Sequence, residues 1–206
     1  MRRTLVAALA ACAALGAAGC GGADTEEEPA GGGGGGEAAE AGGAPPKTAG
    51  FDGTTIKLGV LTPLSGPVAV IGEPLTAGNE VGFEAVNAKG GIAGKYKVEL
   101  VQEDTQYKPD LAVQKYNKIK GEVVAIAQSL GTPPTLALVP QLKRDNLIAQ
   151  PASLDAFWVK EPNLLPIGGP YQIQAINALD YYLKQEGEDK KICSMYQDDA
   201  YGEAGK

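Results

Sequence analysis

"TIKLGVLTPLSGPVAVIGEP", Thr55 to Pro74, is the stretch from which the fold can be read. Its first seven residues, Thr55 to Leu61, form a β-branched, apolar run suited to a buried strand. Thr62-Pro63-Leu64-Ser65-Gly66-Pro67 then breaks that run. Pro74 fits the first turn of a helix extending to Ala88, and Gly90-Gly91 follow its end. A strand that leaves through a Ser/Gly/Pro loop into a helix opens an α/β unit.

The same alternation continues downstream. "YKVELVQ", 96 to 102, reads as a strand. Pro109 opens a second helix to about Gly121, with Ala112, Tyr116 and Ile119 along one face. "VVAIA", 123 to 127, has the continuous apolar character of a buried parallel strand. Thr132-Pro133-Pro134 reads as an N-cap followed by proline at a third helix running to about Arg144, which Pro140 should bend or interrupt. "NLIAQ", 146 to 150, is a fourth strand, and residues 154 to 170 are less regular, with a short strand near Leu164-Leu165. A helix from Tyr171 to Glu186 and a strand "KKICSMY", 190 to 196, complete the order. In that last run Cys193 reads as a small buried thiol.

Repeated strand–helix–strand units predict an α/β fold with a doubly wound, mostly parallel sheet covered on both faces. Ligands in such sheets bind outside the carboxyl ends of the strands. The loops Thr62 to Gly72, Gln128 to Thr135, Gln150 to Asp155 and Gln197 to Gly202 are the candidates.

The 206 residues are unevenly composed. Met1-Arg2-Arg3 and the small apolar residues 4 to 19 read as a signal peptide, too short for a membrane span of about 20 residues. "LGAAGC" resembles the lipobox of bacterial lipoproteins, with Cys20 as the lipidation site and Ala17 where Leu is usual. Residues 20 to 53 then form a Gly/Ala/Glu-rich linker that cannot bury a core and reads as a disordered tether to the membrane. Of the net charge of −7, seven acids against Lys47 put −6 in this linker, and Arg2 and Arg3 add +2 to the leader. Residues 54 to 206 therefore carry only −3 and show no preference for nucleic acid or acidic lipid.

The chain has no histidine, which excludes Ser–His–Asp, Cys–His and histidine–metal sites within it. "GGIAGK", 90 to 95, lacks the Gly, the Ser/Thr and the preceding strand of a phosphate-binding loop. Ser65 lacks the surroundings of a nucleophile elbow and reads as a turn residue. Glu103-Asp104 and Asp198-Asp199 read as solvated or capping acids. No cofactor is expected. What remains is capture without chemistry: Thr132 at a helix start and Ser153 offer hydroxyls to a small anion, and Tyr201 an aromatic wall.

"IKLGVLTPLSGPVAVIGEP", "AVNAKGGIAGKYKVELVQEDTQYKPDLAVQKYNKI" and "YQDDAYGE" together resemble the periplasmic leucine/isoleucine/valine-binding protein family across residues 55 to 206. These are solute-binding components of branched-chain amino acid-type ABC transporters. The resemblance implies two α/β lobes closing on a small-molecule ligand, here a first lobe at 54–170 and the start of a second at 171–206. Relatives are about twice as long as the folded part, so this span is read as truncated and is not expected to clamp a ligand alone. By resemblance Thr132 meets the ligand carboxylate, Ala152, Ser153 and Leu154 line the site, and Tyr201 closes on it. Ile71 stands where an aromatic is common, and Leu154 where amino-acid binders place Thr. The implied role is delivery of an amino acid or amide-type solute to an ABC permease. The alternative is a ligand-sensing module of the same fold. The lipobox favours transport. Mass spectrometry of the mature protein should find an acylated Cys20; a mature chain beginning elsewhere without lipid overturns the lipoprotein reading.

Overall fold

The computed structural model describes residues 46–187 and 189–206. The signal peptide, Cys20 and most of the linker lie outside the described residues.

Four parallel strands form one sheet: β1 (Thr55–Thr62), β2 (Lys97–Asp104), β3 (Ala125–Ser129) and β4 (Ala149–Pro151), in the order β2-β1-β3-β4. β1 and β2 pair without a slip, from Thr55 opposite Lys97 to Thr62 opposite Asp104. The chain therefore goes out to one side of β1 and returns to the other, the arrangement that opens a crevice at the carboxyl ends. The doubly wound parallel α/β reading holds, with strand limits moved by one to three residues.

The two faces of the sheet are packed differently. On one lie α2 (Pro109–Ile119) and α3 (Thr132–Asp145). Leu61, Ala112, Tyr116, Ile119, Ile126, Leu138, Leu142 and Trp158 form the apolar core there. The predicted stripe Ala112, Tyr116, Ile119 is fully buried in it. Tyr116 donates its hydroxyl to Asp145 Oδ2 at 3.1 Å, so the ring is buried without stranding its polar end. α3 runs through Pro140 without interruption. The opposite face carries α1 (Ala69–Ala88), held largely by polar contacts. Buried Gln128 donates to Thr62 Oγ1 at 2.9 Å and accepts from Asn79 of α1. Asn87, in the Asn-Ala-x-Gly-Gly motif, grips the start of β2 through the Val98 amide and carbonyl, both at 2.8 Å.

Three expectations need correction. α1 begins at Ala69, five residues before Pro74, which lies inside the helix. Gly66 turns the chain with φ 80°, and its carbonyl accepts from the Ala69 amide at 3.1 Å, so the helix is under way early. Pro74 removes only one helical hydrogen bond, at an exposed turn. Gly72 is needed there, because a Cβ would lie 1.9 Å from the Pro63 carbonyl oxygen. Residues 190–196 form no strand, since among the described residues no neighbouring strand pairs with them; Cys193 is exposed, not buried. Residues 48 to 51, read as part of the linker, also make defined contacts. Thr48 and Phe51 exchange backbone hydrogen bonds, and the Phe51 ring meets Tyr96 edge-on at 5.3 Å. After these, α4 (Tyr171–Glu186) and the short α5 (Ala200–Glu203) follow. Leu164 joins the sheet edge by a single bridge to Ala149.

Glu103, at the end of β2, is nearly buried and paired with Lys115 at 2.8 Å and with Lys118. Burial pushes its pKa up, but the hydrogen bonds from the two lysines outweigh burial and leave it below the usual carboxylate value. A depressed carboxylate stabilises the fold above its unfolded pKa of about 4, and that contribution is lost as pH falls through the folded value. Glu103→Gln should therefore lower stability at neutral pH and flatten its decline in acid, as followed by urea unfolding at several pH values. An unchanged pH profile would count against this coupling.

Candidate functional site

The carboxyl ends of the strands converge on a cavity of about 210 Å³. Val68 and Ile71 come from the segment after β1, Tyr107 from the loop after β2, and Leu130 and Gly131 from the loop after β3. Ala152 and Ser153 follow β4, and Tyr171, Gln197 and Tyr201 close the far side. A larger groove of about 430 Å³ opens at the other end, by Thr48, Lys120 and Asp145. There Lys120 and Asp145 already neutralise each other at 2.9 Å, and no strand exit reaches it. The convergence of four strand exits selects the smaller cavity.

The polar groups here are unevenly satisfied. Thr105, Thr132 and Ser153 are each buried to 3% exposure or less, and their hydroxyls have no partner among the described residues. They follow β2, β3 and β4 respectively. Each buried hydroxyl left unpaired costs about 1–3 kcal/mol. Such a trio is tolerated where something else can take the bonds. Thr132 is the first residue of α3, and Gly131 is its N-cap with φ 102°. The dipole of the 14-residue α3 favours negative charge at this end. Its donors are fewer than the sequence reading supposed. Pro133 and Pro134 have no N–H, and the Thr135 amide is used by the Gly131 carbonyl at 3.0 Å. The start of α3 therefore offers fewer free amides than a helix N-terminus ordinarily does.

Neighbouring side chains hold the walls in place. Trp158, wholly buried in a 3-10 helix (Ala156–Lys160), donates its indole N–H to the Ser153 carbonyl at 2.9 Å. Asp155 caps that helix at the Phe157 amide. Tyr107 takes a left-handed backbone, φ 62°, and lies against Gly131. Its hydroxyl reaches Asp199 Oδ2 at 3.2 Å, tying the loop after β2 to the start of α5. Burial, with the Asp199 carboxylate beside it, holds the Tyr107 phenol well above its ordinary pKa, so it remains a donor. Asp199 Oδ1 meanwhile caps α5 through the Tyr201 and Gly202 amides. The rings of Tyr171 and Tyr201 meet edge-on at 5.4 Å. Asp104 shapes the first rim, accepting from the Leu64 amide at 2.9 Å and the Ser65 hydroxyl at 2.5 Å. Ser65 is thus the turn residue it was read to be.

Of the residues singled out from sequence, Ile71, Ala152, Ser153 and Tyr201 meet at this cavity. Thr132 sits just behind Gly131, fully buried. Leu154 is not on the wall; its side chain lies against Gly168, and its carbonyl accepts from the Tyr171 amide at 2.8 Å. Tyr107 was missed, although the rule that pointed to the loops after β1, β3 and β4 points equally to the loop after β2. Gln197 opens one of the loops read as candidates, whereas Tyr171 carried no local signal. Among the described residues no cluster of acids or Cys could hold a metal ion, and no helix is long and apolar enough to cross a membrane.

A family model for periplasmic binding proteins matches residues 55–206, and the chain belongs to that family. Among curated proteins, a Leu/Ile/Val-binding protein homologue of Brucella melitensis is 31% identical over 151 residues, covering 71% of this chain and 40% of its own length. Among solved structures, a fatty acid ABC transporter substrate-binding protein from Thermomonospora curvata matches with TM-score 0.70 and 26% identity, over 78% of this chain and 41% of that one. A branched-chain amino acid ABC transporter protein from Thermus thermophilus, with bound valine, matches with TM-score 0.66 and 19% identity, over 74% and 40%; this likeness concerns the fold. The chain thus spans about 40% of the length of the relatives it matches. Membership in a family of periplasmic binding proteins implies an exported binding protein.

The packing of Tyr107 on Gly131 can be tested directly. A Cβ at Gly131 would lie 2.5 Å from Tyr107 Cε2, on a backbone that disfavours side chains. Gly131→Ala should cost about 1–3 kcal/mol in urea unfolding. Hydrogen exchange around residues 197–203 should quicken as the Tyr107–Asp199 bond loosens. Unchanged stability and exchange would mean that the ring does not depend on the glycine.

Proposed function

We propose that this chain is the first lobe, with the opening of the second, of a substrate-binding component of an ABC transporter. It captures a small solute bearing a carboxylate or similar anionic group and delivers it to a membrane permease. The observation that carries this reading is the set of buried, unpartnered hydroxyls of Thr132 and Ser153 beside a cavity at the carboxyl ends of the strands. Thr132 and the dipole of α3 face the anion, and Ser153 is a second donor. Ile71 and Ala152 form the aliphatic wall, Tyr201 the aromatic one. Leu154 acts through its backbone, holding Tyr171. Residues 54–170 belong to the first lobe and 171–206 begin the second. On that division the exposed apolar residues of α4 and of 190–196 are surfaces that a complete second lobe covers.

The absence of histidine and of any nucleophile motif favours binding over catalysis. Closure on the solute then shifts a population of lobe arrangements that the permease reads. A lipid on Cys20 and the Gly/Ala/Glu-rich linker after it would hold the protein at the outer face of a bacterial membrane. The relatives' names span amino acids and fatty acids, so they support the role more narrowly than the ligand.

In a full-length protein with both lobes complete, a thermal-shift screen of amino acids, amides and small carboxylates should raise the melting temperature with at least one compound. Thr132→Ala should weaken that compound's binding by about 1–3 kcal/mol, the cost of leaving an anion under-satisfied. No stabilising compound, or a Thr132→Ala protein of unchanged affinity, would overturn the site.

A further inference from the structure

Three residues of the cavity wall, Tyr107, Gln197 and Tyr201, are tied to one carboxylate that does not line the cavity. Asp199 Oδ1 accepts from the Tyr201 amide at 2.9 Å and the Gly202 amide at 3.1 Å, as the N-cap of α5. Oδ2 takes no part in that cap. It accepts from the Tyr107 hydroxyl at 3.2 Å and from the Gln197 side-chain amide at 2.5 Å.

The backbone around Asp199 has little slack. The Asp199 amide donates to the Gln197 carbonyl at 2.9 Å. A Cβ on Gly202 would lie 1.9 Å from that same carbonyl oxygen, so the segment folds tightly on itself. Tyr107 is held by its left-handed backbone, φ 62°, and by its ring against Gly131. These contacts do not fix the polarity of the two side-chain ends. A Gln amide has a donor end and an acceptor end of nearly the same shape, and a tyrosine hydroxyl can donate or accept. Only a partner of fixed polarity decides between the two. An ionised carboxylate accepts and cannot donate, and hydrogen bonds to it are about twice as strong as neutral ones. Asp199 therefore takes the only O–H of Tyr107 and the N–H end of Gln197. Gln197 Oε1 is left over, with no partner among the described residues.

We propose that Asp199 is a positioning residue of the cavity, which fixes Tyr107 and Gln197 so that both meet a solute as acceptors. The orientation stands on the contacts above alone; its bearing on capture rests on the solute-cleft reading. The competing role is a helix cap and nothing more, served by Oδ1.

NMR of the full chain, with no ligand added, separates the two roles. Asp199→Asn keeps an oxygen for the Tyr201 and Gly202 amides, since Asn caps helices as well as Asp does. It puts an NH2 group in place of Oδ2. Gln197 should then turn its Oε1 inward and its NH2 to water, and the Tyr107 hydroxyl should become an acceptor. The Gln197 side-chain amide protons should exchange with water about tenfold faster than in the unsubstituted chain. The Tyr107 Cζ resonance should move, while the Tyr201 and Gly202 amides stay where they are. A cap alone gives a different result: Gln197 already exchanging freely in the unsubstituted chain, or an Asp199→Asn chain in which neither Gln197 nor Tyr107 responds. Either outcome overturns the proposal. Both readouts belong to the free protein, so failure here leaves the cleft standing, and a failed ligand screen leaves the orientation standing.

Discussion

β1 is hydrogen-bonded on both edges, to β2 on one side and β3 on the other. That double pairing forces the chain to wind out one way and back the other. It sends α1 to one face and α2 and α3 to the opposite face, and it leaves a gap above the end of β1 where no crossover passes. The gap is shaped from below by close approach. Gly72 lets α1 start against the Pro63 carbonyl, and Asp104 draws the Ser65 loop toward the end of β2. Each later feature of the candidate site is built on that rim.

The loops around the gap are kept rigid by residues that never face it. Trp158 is buried in the core and yet holds the Ser153 carbonyl, so the apolar packing of α2 and α3 reaches the wall of the cavity through one indole hydrogen bond. Tyr107 does the same from β2, with its ring on Gly131 and its hydroxyl on Asp199. These ties spend some of the site's hydrogen-bonding groups and leave others over. The character of the site therefore follows from how the scaffold satisfies its own backbone, as much as from which side chains line it.

Much of the fold was legible in the chain. β1, the buried stripe on α2 and the run of α3 follow from local periodicity, and Thr132 and Ser153 from their place after strands. Pro74 misled because proline suits a first turn, while the true start was set by the Gly66 turn and contact with Pro63. The run 190–196 has strand composition, but a strand requires a neighbour, and the described residues supply none. Leu154 was placed on the wall by resemblance; its side chain turned instead onto Gly168. Tyr107 was overlooked because a tyrosine in a polar loop gives no sign that a left-handed backbone will aim it at Gly131.

The sequence by itself determined the class of protein: an α/β unit with ligand loops at strand ends, no histidine chemistry, and motifs that place it among periplasmic binding proteins. Those properties are written in neighbouring residues and in spacings of two to four. Only the tertiary structure decided which polar groups at the strand ends are satisfied and which are left over. Ser153 meets Trp158, Leu154 meets Tyr171 and Tyr107 meets Asp199 across separations that local patterns do not encode. A donor or acceptor is free only relative to everything packed around it.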